Sequence, residues 1–175
     1  MRIEDVHQRL VERFGTDVIR ELKTGVKDPW IEVSAGRIAD VARFVHDEPD
    51  IKLDALNDLC GSDWLDTDPK KKNPCEPHVE VVYHLYSYTH KYFCKLKVKT
   101  PRWTDGQAGK LPQVQSVAGV WGIADWHERE AFDLVGIEFT NHPNLRRILC
   151  PEDWEGHALR KDYEFPLEYH GVRGK

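Results

Sequence analysis

The residues most able to do chemistry lie in the last third of the chain. One run, from Asp125 to Gly136, contains the charged triplet Glu128-Arg129-Glu130 and, after it, Asp133. Asp125 and Glu128 have the spacing of a capping box, and Gly136 stands where a left-handed residue closes a helix. The run therefore predicts a short helix over 126–135 with a buried second turn. Spacing alone favours a solvated first turn for the triplet.

Arginine recurs behind this predicted helix, at Arg146-Arg147 and in Arg160-Lys161-Asp162. Arginine is the preferred partner of carboxylates in partly desolvated sites, because its planar fork can bind both oxygens. The acids of the helix are available partners. We therefore expect Arg–carboxylate pairs to tie the helix to the residues that follow it, and to fix the direction in which those residues leave the domain.

Other chemistries find little support. The nine histidines include no H-x-x-x-H pair, and the four cysteines include no C-x-x-C, which predicts scattered histidines and packed thiols without a metal or cluster site. Phosphate-binding glycine loops and a nucleophile elbow are also missing from the sequence. We expect no catalytic residue, cofactor or metal held by this chain alone. Four lysines recur at strand spacing: Lys91, Lys95, Lys97 and Lys99. Such a lysine stripe could imitate an RNA-binding sheet, but lysines are also common on the exposed face of a strand.

Composition indicates one domain that does not bind nucleic acid. The chain has 175 residues and a formal net charge of −5, which argues against general affinity for phosphate backbones. No apolar run approaches the roughly 20 residues that span a bilayer. The first residues are acidic and lack an apolar core, so neither a secretory signal nor a transit peptide is expected. We expect a soluble, intracellular chain.

Hydrophobic periodicity predicts alternating helices and strands before residue 140. Apolar residues recur at helical spacing in 3–14 and 37–47, and alternate at strand spacing in 79–88 and 91–99, which predicts an antiparallel hairpin with one wet face. The remaining predictions are strands at 18–23 and 30–35, a short strand and turn at 55–65, surface loops at 66–77 and 101–115, and a helical stripe over 117–124. This order predicts an α+β fold with a mixed or antiparallel sheet and helices on one face.

The last 35 residues have a different character. Pro143, Pro151 and Pro166 interrupt any long element, yet the segment is rich in large aromatic residues and charges. We interpret residues 1–140 as the α+β domain and 141–175 as an extended C-terminal arm. From the residues alone, two arrangements remain open: the arm docks on another protein, or it packs back over its own sheet.

The sequences of these motifs closely resemble those of one protein family. Three runs have the family's order and spacing: Glu128 to Ile137, His142 to Leu149 and Gly156 to Tyr163. They are similar to the signature of the thirty-kilodalton (C-type) subunit of respiratory complex I. The resemblance assigns these residues to the family signature and subunit interface: Glu128, Arg129, Glu130, Asp133, Gly136, His142, Arg146, Arg147, Arg160, Lys161, Asp162 and Tyr163. Two departures are Gly122 and Ala158, where the family commonly has proline.

The resemblance also implies a function. It implies a scaffolding subunit of the peripheral arm of the proton-pumping NADH–quinone oxidoreductase, with no catalytic residue of its own. FMN, iron–sulfur clusters and quinone would be bound by partner subunits. The neighbours would be the large D-type subunit, which holds the quinone site, and the B-type subunit, which holds the terminal iron–sulfur cluster. Its place would be peripheral, on the cytoplasmic side of the bacterial inner membrane, or on the matrix side in an organelle.

Two alternatives stay open. Membrane-bound hydrogenase and formate hydrogenlyase complexes contain related subunits, and an independent binding domain could use the face of the predicted hairpin. Because the sequence ends at Lys175, we expect no fused quinone-site domain and no fused hydrogenase large-subunit domain.

Overall fold

A five-stranded mixed sheet with three α-helices forms the body of the protein. The computed structural model describes residues 1–65 and 76–174. The helices are α1 (Ile3–Phe14), α2 (Ile38–Asp47) and α3 (Ala124–Val135). The strands are β1 (Ile19–Lys23), β2 (Trp30–Val33), β3 (Ala55–Trp64), β4 (His78–Ser87), β5 (Tyr92–Pro101), β6 (Gln113–Gln115), β7 (Glu138–Thr140), β8 (Glu168–Tyr169) and β9 (Val172–Arg173). The predicted α+β class is confirmed.

The main sheet has the strand order β1-β2-β5-β4-β3. Its pairs are antiparallel except for β2 and β5, which run parallel with Ile31 opposite Leu96. β6 and β7 form a small parallel pair beside α3, and β8 and β9 form a separate hairpin near the C-terminus. The sheet is therefore mixed, and β3 is one of its edges.

The predicted β4–β5 hairpin has the expected faces. Residues of one alternating set are buried: Val79, Val81, Tyr83, Leu85, Tyr92, Cys94, Leu96 and Val98. All three helices add buried apolar residues to the same core. α3 approaches β3 closely at Gly61, where a Cβ atom would lie 3.2 Å from the Cβ of Ala131. The core thus sits between the helices and one face of the sheet.

The other face carries three of the four lysines of the stripe, Lys95, Lys97 and Lys99, and each is paired with an acid. Lys91 lies in the turn before β5 and is exposed. Lys97 lies 3.0 Å from Glu80 and Lys99 lies 2.7 Å from Glu32. Both ammonium groups also stand over the Trp30 ring, at 4.5 and 4.7 Å from its centroid. Since the charges of these three lysines are neutralised by acids, they do not form the row of unpaired positive charge that binds phosphate backbones.

Two predicted elements were wrong in extent. β3 is a ten-residue strand where the sequence predicted a short strand and a turn. A register shift between Leu56 and Asp58 explains the mixed periodicity, because one extra residue moves later side chains to the opposite face. The predicted loop over 101–115 contains β6 at its end. Most of the predicted loop 66–77 lies outside the described residues.

The start of α3 also differs from its prediction. The helix begins at Ala124, and its N-cap position is Ile123, which makes no side-chain capping bond. Asp125 and Glu128 therefore do not form a capping box. The stripe before the helix is a buried turn rather than a helix, closed by the N–H of Trp121 donating to the carbonyl of Val117 at 3.1 Å. Gly136 ends the helix in the left-handed conformation, as predicted (φ 72°, ψ 57°).

Among the described residues, none of the helices combines the length and the apolar character needed to cross a bilayer.

Candidate functional site

Residues 142–163, which we call the anchored segment, lie against α3 and are held there by a buried carboxylate. Asp133 is fully buried, and one of its oxygens accepts the backbone N–H groups of Ile148 (3.0 Å), Leu149 (2.8 Å) and Cys150 (2.8 Å). Its other oxygen accepts a bond from the Arg147 guanidinium at 2.6 Å. Four donors from the segment therefore converge on a single side chain of the helix.

This arrangement keeps Asp133 ionised. Burial alone would raise the pKa of its carboxyl, but the donated bonds from Cys150, Arg147, Leu149 and Ile148 outweigh burial and hold the pKa below its ordinary value. The Arg147 guanidinium also donates to the Gly156 carbonyl at 2.9 Å, so it links two parts of the segment. The expected Arg–carboxylate tie between helix and segment is present here.

Arg129 reaches the same segment by a different kind of contact. It is 7% exposed and donates to the backbone carbonyls of Arg146 at 3.2 Å and Arg147 at 3.4 Å. It therefore ties the helix to the segment by satisfying backbone carbonyl groups and not through a carboxylate. The Trp126 ring lies 5.4 Å from its guanidinium carbon.

Arg160 closes the C-terminal end of α3. Its guanidinium donates to the carbonyls of Val135 (2.6 Å), Gly136 (3.0 Å) and Arg102 (3.1 Å), and it stands over the Trp103 ring at 4.1 Å. A helix leaves its last carbonyls without partners and carries partial negative charge at this end. A buried arginine supplies both the donors and the compensating charge.

Gly136 is required at this junction for a second reason. A Cβ atom there would collide with the ring of His157, which approaches the helix and lies within hydrogen-bond distance, 2.9 Å, of the Asp133 carbonyl. The backbone N–H of Leu159 donates to the Leu134 carbonyl at 2.8 Å. The segment thus contacts the helix end through its backbone as well as its side chains.

A second buried carboxylate holds the end of the segment to the sheet. The side chain of Asp63, in β3, is fully buried. Its two carboxylate oxygens accept hydrogen bonds from two N–H groups of the Arg102 guanidinium, at 2.7 and 2.8 Å. The same guanidinium binds Asp162 at 2.6 Å, and the backbone N–H of Lys161 donates to Asp63 at 2.8 Å. The Arg160-Lys161-Asp162 run is therefore fixed at the end of β3.

A third carboxylate, Glu128, faces inward from α3. It is fully buried and accepts bonds from the Ser116 hydroxyl at 2.5 Å and the Val117 N–H at 2.6 Å. The buried ring of His142 lies 3.8 Å from Glu128 and 3.2 Å from a carboxylate oxygen of Asp125. Burial raises the pKa of Glu128 to about 7, although the two donated bonds oppose the rise. The predicted solvated first turn is wrong for this residue.

This raised pKa predicts a specific dependence of stability on pH. Because the folded pKa lies above the ordinary value, the stability that Glu128 contributes is fully present below about pH 4.5 and is lost as the pH rises through about 7. Glu128→Gln removes the titration. Between pH 5 and pH 8, wild type should therefore lose about 2–3 kcal/mol of unfolding free energy relative to Glu128→Gln, as measured by urea denaturation.

Glu130→Gln is the matched control for this measurement, since Glu130 lies on the same helix but is exposed. It should keep the pH dependence of wild type. If Glu128→Gln also kept it, Glu128 would not be the titrating group.

The predicted site residues thus divide into two sets. One set is buried or half-buried: Glu128, Arg129, Asp133, Gly136, His142, Arg147, Arg160 and Tyr163. The other set is exposed: Glu130, Arg146, Lys161 and Asp162. Asp162 belongs to the Arg102 pair even so, while the side chains of the other three face solvent and can meet another molecule.

Sequence reasoning missed Asp63, Arg102 and His157. A signal for Asp63 exists in the sequence, because it follows Leu59 and Gly61 on the core-facing side of β3, where a carboxylate needs a buried partner. Arg102 and His157 have no comparable signal, since their roles depend on contacts between distant parts of the chain.

Beyond the anchored segment, apolar side chains point to solvent. Phe165, Leu167 and Val172 are 69%, 89% and 72% exposed. They belong to the C-terminal hairpin (residues 164–174, containing β8 and β9), which is pinned by Asp153 through bonds from Tyr169 (2.8 Å) and His170 (2.7 Å). The anchored segment is therefore a fixed stem, and the exposed side chains of Phe165, Leu167 and Val172 form an apolar tip at its end.

The fold of this chain is shared with a chain of known structure. The same fold occurs in a chain of the membrane-bound sulfane sulfur reductase, an archaeal respiratory membrane complex. The two chains superpose with a TM-score of 0.66 and 22% identity over 92% of this chain and 85% of the other. This likeness establishes the α+β fold that the two chains share.

The family follows from the sequence comparison. Residues 31–169 match the model of the respiratory-chain NADH dehydrogenase 30 kDa subunit, and the chain belongs to this family. The C-type subunit of the NADH-quinone oxidoreductase of Roseiflexus sp. (strain RS-1) is 48% identical over 81% of this chain and 72% of its own length. The corresponding subunit of Chlorobium phaeobacteroides is 40% identical over 93% of this chain and 89% of its own length. The resemblance seen in the sequence motifs is confirmed.

Proposed function

We propose that this chain is a structural subunit of the peripheral arm of a proton-pumping NADH–quinone oxidoreductase, complex I. It braces the subunit that contains the quinone site while electrons pass from NADH to quinone. Family membership and the names of its relatives support this proposal. In this proposal the chain supplies no catalytic residue and holds no redox cofactor, while FMN, the iron–sulfur clusters and quinone belong to partner subunits.

The proposed partners are the large D-type subunit, with the quinone site, and the B-type subunit, with the terminal iron–sulfur cluster. The chain meets the membrane only through the complex, on the cytoplasmic side of a bacterial inner membrane or the matrix side of an organelle, and it does not bind nucleic acid. The observation that carries the bracing role is the C-terminal hairpin. Its exposed apolar tip stands on a stem fixed by buried charges, as expected of a surface that docks on another protein.

Native purification through an N-terminal tag, in mild detergent and with mass spectrometry, tests this function. We expect the large quinone-site subunit, an iron–sulfur subunit and the NADH-oxidising flavoprotein subunits to copurify. Recovery of a hydrogenase-type large subunit without the flavoprotein would instead indicate a membrane-bound hydrogenase or formate hydrogenlyase. A clean monomer would contradict both.

A pair of variants tests the role of the hairpin within that purification. Leu167→Asp places a charge on the most exposed apolar residue of the tip and should remove the partner subunits. Tyr88→Asp is the control, because Tyr88 is also a large exposed residue (69%) but lies in the turn between β4 and β5. If the two variants copurified with equal amounts of the partner subunits, the tip of the hairpin would not be the docking surface.

The anchoring arginines should matter for assembly and not for a chemical step. Arg147→Ala and Arg129→Ala loosen the base from which the hairpin projects, because each removes contacts between α3 and the anchored segment. We expect less assembled complex from either variant, most clearly at elevated salt, with unchanged turnover per assembled complex. Arg13→Ala, an exposed position on α1, should assemble like wild type. Normal assembly of either anchoring variant at elevated salt would contradict this role.

A further inference from the structure

Three potential metal ligands meet at the open edge of the sheet. Asp58 and Cys60 project from β3 and His84 from β4. One carboxylate oxygen, the sulfur and one ring nitrogen all lie within 4.8 Å of one another. Asp58 stands directly opposite His84 across the strand pair. Neighbouring Leu59 points to the core, so the three side chains share the face that is turned away from the core.

Sequence spacing does not reveal this cluster, because its ligands come from two separate strands and follow no ligand motif. β3 and β4 bring them together only through their register, after the shift between Leu56 and Asp58. Without that shift, Asp58 would point to the opposite face of the sheet. The same bulge that hid the strand from periodicity analysis thus assembles the three ligands.

Thiolate, imidazole and carboxylate together are the donor set of zinc rather than of magnesium or calcium, which prefer oxygen. Tetrahedral zinc with bonds of about 2.0–2.3 Å places its donor atoms roughly 3.5 Å apart. Since no two donor atoms are more than 4.8 Å apart, the cluster has to contract by at most roughly 1.3 Å. Cys60 is exposed and Asp58 and His84 are half-buried, so small side-chain rotations suffice.

The lysines beside the cluster leave no unpaired positive charge against it, because each is paired with an acid. The two lysines closest to the cluster are paired: Lys95 with Asp28 at 2.7 Å, and Lys97 with Glu80 at 3.0 Å.

We propose that Asp58, Cys60 and His84 bind one zinc ion at the edge of the sheet, with water in the fourth position. On binding, the S–H bond of Cys60 breaks, its proton leaves to solvent and the sulfur–zinc bond forms. His127 of α3 lies 3.5 Å from the Asp58 carboxylate and connects the site to the helix that carries the anchored segment. This site goes beyond the bracing function and does not depend on it.

The test uses the purified full chain, stripped with a chelator and dialysed. Calorimetric titration with Zn²⁺ at pH 7.5 should give one equivalent bound and about one proton released, read from the heats in buffers of different ionisation enthalpy. Titration with Co²⁺ should give a thiolate-to-metal absorption band. Loss of a residue that only orients a metal ligand typically weakens metal binding 10- to 100-fold. Cys60→Ser and His84→Gln remove a ligand itself, so each should weaken zinc binding by at least that factor. Cys60→Ser should also abolish the absorption band.

Matched variants identify the thiol and the imidazole. Cys75→Ser, Cys150→Ser and His90→Gln should bind zinc like wild type and keep the cobalt band. A band that survives in Cys60→Ser, or that disappears in Cys75→Ser instead, would overturn the proposal. So would the absence of stoichiometric zinc binding by wild type. Far-UV circular dichroism of each variant separates loss of the site from loss of the fold.

Discussion

Asp133→Ala should lower the free energy of unfolding by about 3–5 kcal/mol, because it removes one partner of a buried ion pair. Three backbone N–H groups, at Ile148, Leu149 and Cys150, lose their acceptor at the same time. The Arg147 guanidinium would stay half-buried without its carboxylate. Such unsatisfied groups cost more than the bonds themselves contribute.

Urea denaturation of the full chain measures this loss, and hydrogen exchange locates it. Amide exchange at residues 148–150 should become faster in Asp133→Ala, while the amides of β4 and β5 should show only the change in global stability. Glu130→Ala, at an exposed position of the same helix, should change the unfolding free energy by no more than about 0.5 kcal/mol. Unchanged exchange at residues 148–150 would mean that Asp133 does not hold the segment.

Asp63→Ala should have an effect of the same size, about 3–5 kcal/mol. The side chain of Arg102 is only 9% exposed. In the variant its guanidinium would keep only Asp162 as a carboxylate partner. The N–H of Lys161 would also lose its acceptor. Because Asp63 joins β3 to the end of the anchored segment, the variant should release that end of the segment and make it more sensitive to protease.

The comparison with Asp162→Ala isolates the effect of burial. Asp162 binds the same guanidinium but is 44% exposed, so its loss should cost about 1 kcal/mol or less. Arg102→Met, alone and combined with Asp63→Ala, completes a double-mutant cycle. A coupling energy near zero between Asp63 and Arg102 would show that their pair does not stabilise the fold.

Periodicity was enough to predict most of the fold. α1 and α2 have their predicted positions, and the β4–β5 hairpin has its predicted faces, because each buries a regular apolar stripe. The failures have local causes. The bulge in β3 breaks the alternation of its side chains, and the parallel pairing of β2 with β5 depends on contacts that no local pattern encodes.

The site was only partly predictable. Gly136 was identified by the conformation that a helix end requires, and an arginine–carboxylate pair between helix and segment was expected from chemistry, but the sequence did not single out Arg147 and Asp133 as its members. Glu128 was misjudged, because a carboxylate in the first turn of a helix is usually solvated. Its burial follows from the turn at Ser116 and Val117, which folds over the helix and supplies two donors. Such tertiary donors cannot be read from helical spacing.

The position of the anchored segment in the chain has a consequence for biosynthesis. Asp63 precedes the N–H of Lys161 by 98 residues, and Asp133 precedes its four donors by 14 to 17 residues. A nascent chain that stops before residue 147 leaves both carboxylates without their donors from the segment. Domains with buried, uncompensated charges are poorly stable and are removed by proteases. Asp63 keeps its Arg102 partner in such a chain, so the loss falls mainly on Asp133, and we expect the shortened chain to be less stable than the full one.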